Sequence, residues 1–300
     1  RSEARSLSST NGTTPFKWCW VMILLSKWLT HARTLTSLPS SSLEHYFTNF
    51  TTDISGIELP NKFTYPFEYK PHALSELACN EVKQFLETQT TIDHNFGLRP
   101  NQSGQIIGKM FGVLVTQKPT GEIGYLAAFS GKVAGSNHHA HFVPPVFDGL
   151  TEGSFVNVGM TELTNINNQL EQLKKDSSTE GKEAVSKLIE HRTKHCNDIL
   201  NGIIDSYHFL NSAKQSRGLR EIFEEKVGKN PPGGAGECAL PKLLQYAFIH
   251  DLKPIAMAEF WWGKSPKGKF MEHGAYYPAC LDKCQPILEH MLGGIELENV

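Results

Sequence analysis

The sequence lacks two features that would assign it to a broad class. No apolar run approaches the roughly 18–20 residues that span a bilayer, and the mean hydropathy is −0.32. No cationic excess is present, because 29 lysines and arginines stand against 31 aspartates and glutamates, for a formal net charge of −2. These absences argue against a membrane-spanning protein and against a strongly basic nucleic-acid-binding domain, although a local basic patch is not excluded.

Motifs that would name a chemistry are also missing. The glycine-rich segment 231–236 has neither the GxGxxG spacing of dinucleotide-binding folds nor a lysine at the phosphate-loop position. No nucleophile elbow and no serine–histidine–aspartate order can be recognised. A rigid loop that positions the residues after it is therefore a better interpretation of this segment than a nucleotide site.

Cysteine is scarce, with six residues at positions 19, 79, 196, 238, 280 and 284. This number and scatter are atypical of a secreted disulfide scaffold and favour a reducing compartment. A chain of 300 residues can bury a sizeable core without such crosslinks. We therefore expect a cytoplasmic protein, or an organellar one if the N-terminus is a transit peptide.

Residues 1–42 differ from the rest of the chain. They are rich in serine and threonine, with an apolar segment at 16–25 and basic, acid-poor flanks. The pattern fits a signal peptide, a transit peptide or a poorly ordered extension. We set this stretch apart from the fold as a disordered or targeting extension.

Hydrophobic patterning in the remaining chain predicts an α/β fold. Apolar residues at three- and four-residue steps indicate helices, and runs of β-forming residues indicate strands. The predicted elements are a helix over 73–89, strands over 107–116 and 123–129, a helix over 239–250 and a strand over 255–262. We expect a small mixed sheet with flanking helices.

Residues 160–227 interrupt this pattern. They are mostly polar and charged, with leucine and isoleucine at helical spacing. We expect a helical insertion between residues 43–159 and 228–300, which would form the two halves of one α/β domain. Such an insertion could dock a partner protein.

Three cysteines form a suggestive group, Cys238, Cys280 and Cys284. The last two are four residues apart, which on a helix places both thiols on one face. Cys238 begins another predicted helix, and a helix N-terminus lowers the pKa of a thiol. Three thiolates with a water or a histidine satisfy tetrahedral zinc. The alternatives are three semi-buried cysteines that pack as small apolar residues, or a thiol or redox function.

This arrangement of cysteines resembles the zinc-dependent deaminases. In that family a His or Cys ligand opens a helix, a glutamate two residues later moves protons, and a Pro-Cys-x-x-Cys motif opens a later helix. Here the position two after Cys238 is Leu240, and the later cysteine pair is separated by three residues, not two. Glu237 and Glu259 are candidates to replace the missing proton shuttle. The resemblance, with these departures, implies a zinc-binding, inactive relative with a deaminase-like fold.

An aromatic and lysine-rich segment ends the last predicted strand. Trp261 and Trp262 are followed by Lys264, Lys267 and Lys269. Aromatic rings stack on bases and lysines pair with phosphates, so these five residues are candidates for contacts to single-stranded RNA. The alternative is that the aromatic residues pack in the core.

Several long segments resemble the N-terminal region of large RluA-type RNA pseudouridine synthases. They occur in the same order as in that family and span roughly residues 45–300. The segments are 94–98, 108–115, 126–132, 233–248, 257–263 and 277–280. The resemblance implies an accessory region that positions ribosomal or transfer RNA for uridine-to-pseudouridine isomerisation, a reaction that needs no cofactor.

The catalytic motif of that family, Arg-Leu-Asp, is absent from this sequence. In the family, this motif lies in a domain that follows the region resembled here. We therefore carry over no catalytic residue, and whether this chain acts as an enzyme by itself stays open.

Overall fold

The computed structural model describes residues 45–176 and 178–298, so the interpretation of residues 1–42 lies outside the described residues. The elements in chain order are β1 (Thr48–Asn49), α1 (Ala73–Thr88), β2 (Lys109–Gln117), β3 (Ile123–Phe129), α2 (Phe155–Leu173), α3 (Thr179–Ser206), β4 (His208–Leu210), β5 (Ser216–Gly218), α4 (Leu219–Val227), α5 (Ala239–Ile249), β6 (Lys253–Trp262) and α6 (Gln285–Met291). The predicted α/β class, a small sheet with flanking helices, is confirmed. None of the helices described has the length and hydropathy needed to cross a membrane.

The main sheet has four strands in the order β1-β3-β2-β6, and all its strand pairs are antiparallel. The hairpin of β2 and β3 turns at Gly121, whose φ of +92° is in the left-handed region that favours glycine. Strand β6, far along the chain, pairs with the free side of β2 and places Glu259 opposite Gly112. A separate two-stranded sheet joins β4 to β5.

One face of the main sheet packs against α1 and is apolar. Phe111 and Val113 of β2 belong to this buried cluster, together with Leu74, Ala78 and Val82 of α1. Successive strand residues point to opposite faces, so this set uses every second position of β2. We call this surface the α1 face.

The opposite face, the α5 face, packs against α5. A Cβ placed on Gly112 would lie 3.0 Å from Ala239 Cβ and 3.2 Å from Glu259 Cγ. Glycine at this position therefore allows α5 to approach the sheet closely. This packing sets Cys238, the N-cap residue of α5, near β6.

The described residues divide into two compact units. A helical unit comprises residues 152–176 and 178–201, and within it a Cβ on Gly159 of α2 would lie 2.7 Å from Ile199 of α3. The sheet unit comprises residues 45–151 and 202–298. The limits of the helical unit therefore differ from those predicted for the insertion, 160–227.

The difference lies after residue 201. There α3 ends at Ser206, and the chain forms the β4–β5 hairpin and then α4. Phe209 and Phe223 of these elements are almost fully buried, and His290 of α6 lies 2.9 Å from the Phe209 carbonyl oxygen through its Nε2. Apolar residues at helical spacing predicted helix here, but packing against α6 joins these residues to the sheet unit.

Candidate metal centre

The three predicted cysteines meet in the sheet unit. The Cys280 Sγ lies 3.3 Å from the Cys284 Sγ and 4.0 Å from the Cys238 Sγ, and all three atoms are within 4.8 Å of one another. Zinc–thiolate bonds of about 2.3 Å at tetrahedral angles place sulfur atoms about 3.8 Å apart. This cluster, which we call the cysteine trio, could therefore hold a metal ion.

Local structure places each thiol. Cys238 is the N-cap residue of α5, and Cys284 is the N-cap residue of α6, which has Pro286 in its first turn. Cys280 precedes α6 and lies outside any helix, yet the Cys284 amide donates to its carbonyl oxygen at 3.2 Å. This single turn reproduces the four-residue helical spacing, so both thiols lie on one side as the sequence predicted.

The three thiols differ in environment. Cys284 is buried, Cys238 is half-buried and Cys280 is exposed. Hydrogen bonds with the Cys238 and Cys284 thiols lower the pKa of Cys280 well below its ordinary value. The contact with Cys280 raises the pKa of Cys238, and contacts with both partners raise that of Cys284. A thiolate, the form that binds metals, is therefore favoured at the exposed member of the trio.

Glu259 is a buried acid beside the trio. Its side chain extends from β6 toward α5, and its Oε1 accepts a hydrogen bond from the Leu240 amide at 3.3 Å. The residue is only 4 % exposed. Burial raises the pKa of Glu259 to about 8, and the charge of Cys280 acts in the same direction. Glu259 can therefore hold a proton at neutral pH next to the sulfur atoms.

Tyr69 supports this arrangement, and sequence reasoning missed it. Its hydroxyl accepts a hydrogen bond from the Glu259 amide at 2.9 Å and donates to the Tyr277 carbonyl oxygen at 3.0 Å. The Tyr277 amide in turn donates to the Glu259 carbonyl oxygen at 3.0 Å. These bonds join β6 to the segment that leads to Cys280. A single tyrosine in a proline-rich segment carries no periodic signal that could have indicated this contact.

The carboxylate of Glu237, the other candidate proton shuttle, lies elsewhere than that of Glu259. The Gly131 amide donates to the Glu237 carbonyl oxygen at 2.9 Å. A Cβ placed on Gly131 would lie 3.8 Å from Glu237 Oε2, and one placed on Gly234 would lie 3.9 Å from it. The Glu237 carboxylate therefore lies at these two glycine turns, whereas that of Glu259 lies against the first turn of α5.

The two tryptophans of the predicted RNA-binding set lie at the end of β6. Trp262 is 3 % exposed, and its ring contacts Phe260 and His273 with centroid distances of 6.2 Å and 4.3 Å. Trp261 is half-buried, and its indole nitrogen donates to the Gly263 carbonyl oxygen at 3.1 Å. The ring of Trp262 thus packs in the core, which is the alternative that the sequence left open.

The three lysines of that set are exposed in the loop after β6. Lys264, Lys267 and Lys269 are followed by Phe270, whose side chain is 83 % exposed. The sequence analysis did not single out Phe270, although its position beside the lysines was visible. RNA contacts by Trp261 and the three lysines stay a prediction.

The comparisons with known proteins identify no relative, since no protein-family model, no curated protein and no solved structure matches the chain. The resemblances to pseudouridine synthases and to deaminases therefore stay predictions from the sequence.

Proposed function

We propose that this chain is a zinc-binding domain of the deaminase type, with the cysteine trio as ligands and water as the fourth. The observation that carries this proposal is the gathering of three sulfur atoms within 4.8 Å beside a buried glutamate. Three protein ligands and a water are the usual coordination of catalytic zinc. Cys280 is exposed, so solvent can reach the trio.

Glu259 supports the deaminase type in particular. The family places its proton-shuttling glutamate two residues after the first ligand, where this chain has Leu240. The Leu240 amide donates to Glu259 Oε1, so a carboxyl group from the neighbouring strand lies against the same turn of α5. This observation favours an active centre over an inactive relative.

This placement gives the zinc ion and Glu259 different chemical roles. Zinc, when bound, lowers the pKa of its water towards neutrality. Glu259, protonated at neutral pH, would first give its proton to the ring nitrogen of the substrate; as the carboxylate it would then accept a proton from the attacking water and pass it to the leaving amino group. In a hydrolytic deamination, water supplies the new oxygen atom and the amino group leaves as ammonia. The proposed substrate class is therefore an amino-bearing nucleobase.

Metal analysis of the purified full chain tests the metal-binding part. We expect about one zinc per chain in the wild type, loss of zinc in Cys280→Ser and retention in Cys79→Ala. Cys79 is the matched control because it is fully buried on α1, on the opposite face of the sheet. Circular dichroism of all three proteins establishes that they are folded. Wild-type protein without zinc, with the three trio thiols freely titratable, would refute the proposal.

Ammonia release tests the catalytic part. Wild type and Glu259→Gln, loaded with equal zinc, are incubated with cytosine- and adenine-containing nucleosides, nucleotides and oligonucleotides. We expect release by the wild type and a loss of about 100-fold or more in the variant, as is typical for a general acid–base group. If neither protein releases ammonia, the centre is inactive and only zinc binding stands.

A second function, positioning of RNA, is favoured by the exposed loop after β6. Phe270 is the most exposed large apolar side chain among the described residues, and it adjoins Lys267 and Lys269. Such a surface suits base stacking with phosphate contacts. It agrees with an accessory region that presents RNA to a pseudouridine synthase domain elsewhere.

Fluorescence anisotropy with a single-stranded RNA at low salt tests this second function. Phe270→Ala is expected to weaken binding several-fold, because stacking on an aromatic ring contributes about 1–3 kcal/mol per base. Leu281→Ala, at another exposed apolar residue, is the matched control. Absence of RNA binding by the wild type would remove the positioning role.

A further inference from the structure

A group of lysines surrounds the Gly131 turn next to the cysteine trio. A Cβ placed on Gly131 would lie 3.8 Å from the Lys109 Nζ and 3.8 Å from Glu237 Oε2. The Lys242 Nζ donates to the Gly131 carbonyl oxygen at 3.3 Å, and Lys132 is the next residue in the chain. Two ammonium groups and one carboxylate thus lie at this turn, and Lys132 directly follows it in the chain.

The glycine-rich loop before α5 adds a fourth lysine. A Cβ placed on Gly234 would lie 3.4 Å from the Lys283 Nζ and 3.9 Å from Glu237 Oε2. Lys283 directly precedes Cys284 of the trio, and Glu237 directly precedes Cys238. The four lysines therefore come from four separate parts of the chain and meet at the edge of the proposed metal centre.

The positive charges exceed the acids available to balance them. Within residues 45–176 and 178–298, the lysine ion pairs do not include Lys109, Lys132 or Lys283. Burial lowers the pKa of Lys109 and of Lys132; the charge of Glu237 opposes this effect on both, and the charge of Asp148 also opposes it on Lys132. Partly buried cations that lack a direct partner are stabilised by an anion.

Tyr207 provides a neutral hydrogen-bond donor at the same place. It is 4 % exposed, and its ring would contact a Cβ on Gly236 at 2.9 Å. Burial and the charges of Glu237 and Asp148 raise its pKa, so its hydroxyl remains protonated.

We propose that Lys109, Lys132 and Lys283 form a phosphate-binding site beside Cys238, which takes the phosphate of a nucleotide. Lysine binds phosphate as a point charge, and several ammonium groups favour a dianion over a single carboxylate. This proposal rests on the proposed function and narrows its substrate class. The substrate is a nucleotide or a polynucleotide, and not a free base or nucleoside. A phosphate in this place would hold such a substrate next to the trio.

Calorimetric titration of the zinc-loaded full chain with inorganic phosphate, nucleoside monophosphates and the matching nucleosides tests this site. We expect the monophosphates to bind at least about tenfold more tightly than the nucleosides. The double variant Lys109→Gln/Lys132→Gln should lose this preference while keeping its zinc. Lys174→Gln/Lys187→Gln, which removes the same charge from exposed residues of the helical unit, is the matched control.

Three results would overturn the phosphate site. Equal binding of nucleotides and nucleosides is the first, and an unchanged preference in the double variant is the second. The third is a Lys109→Gln/Lys132→Gln variant that loses its zinc but still binds phosphate, because the lysines would then serve only to balance thiolate charge. Lys283→Gln, in the turn before α6, provides a second variant if the double variant does not fold.

Two further experiments distinguish a free nucleotide from a polynucleotide as the source of the phosphate, and the phosphate-site proposal from the metal-site proposal. If a single-stranded RNA competes with the monophosphate for one site, the phosphate that binds there belongs to a polynucleotide backbone. If the RNA does not compete, the ligand is a free nucleotide. Cys280→Ser, which is expected to lack zinc, is titrated with inorganic phosphate in parallel. If the wild type contains no zinc but binds phosphate through these lysines, the metal proposal fails while the phosphate site stands.

Discussion

The two faces of the main sheet bury different kinds of side chain. The α1 face buries aromatic and aliphatic groups, among them Phe111 and Val113. The α5 face also buries Glu259 and Lys242, which are 4 % and 3 % exposed. Burial of ionisable groups costs stability unless hydrogen bonds or charges compensate for it. The comparison indicates that the α1 face stabilises the domain, whereas the α5 face holds buried ionisable groups at some cost in stability.

The largest effect should come from the α1 face. Phe111→Ala removes a ring that is 1 % exposed and lies 5.6 Å, between centroids, from Phe142 and 5.9 Å from Phe260. We expect a loss of about 3–5 kcal/mol in the free energy of unfolding, measured with denaturant. Zinc bound per folded chain should not change. Phe111→Leu is the control and should cost less than about 1.5 kcal/mol.

One outcome would contradict this functional separation of the α1 face from the α5 face. If Phe111→Ala lost its metal under conditions in which circular dichroism shows a folded chain, the two faces could not be regarded as separate in function.

A smaller effect is expected from the buried lysine of the α5 face. The Lys242 Nζ donates to the carbonyl oxygens of Phe129 and Gly131 at 2.9 Å and 3.3 Å. Lys242→Met leaves both acceptors without this donor, for an expected loss of about 2 kcal/mol. Lys253→Met, at an exposed position of β6, should change stability by less than about 0.5 kcal/mol. Equal stability of the two variants would show that Lys242 is not a structural donor.

The smallest effect, taken over one pH unit, concerns the titration of Glu259. The pKa of Glu259 is about 8 in the folded chain against an ordinary value of 4.5, so the folded state binds more protons than the unfolded state between these values. Stability should therefore fall as pH rises through this window, by up to about 1.4 kcal/mol per pH unit. Glu259→Gln removes the titrating group and should remove this part of the slope.

The measurement compares denaturant unfolding of wild type and Glu259→Gln, both kept metal-free with a chelator, at several pH values. The thiols titrate in both proteins, and the difference between the two profiles gives the contribution of Glu259 together with its coupling to the charge of Cys280. Parallel pH profiles would contradict the raised pKa and would weaken the role of Glu259 as a proton carrier.

Most elements of the sheet unit were predictable, because the signals that define them are local. The predicted limits of the β2–β3 hairpin, α1, α5 and β6 agree with the observed ones to within two residues. Each depends on side-chain periodicity or on a turn residue such as Gly121. The β4–β5 hairpin was missed, since its strands have only three residues each and depend on packing against neighbouring helices.

The candidate site was predictable in part. Spacing and helix starts singled out Cys238, Cys280 and Cys284 as a set, and the structure brings their sulfur atoms together. Tyr69 and the convergence of the lysines at Gly131 could not be found in this way. They join segments that are far apart in the chain, and no local pattern encodes such a contact.

The sequence by itself therefore determined the α/β class, the main elements and the three thiols, because periodicity, turn residues and short spacings act over a few residues. Only the tertiary structure decided which of two glutamates lies against the first turn of α5. Glu237 is adjacent to Cys238 in sequence, but its carboxylate lies at the glycine turns. Glu259 is 21 positions away, and the packing of α5 on β6 brings its carboxylate to the Leu240 amide.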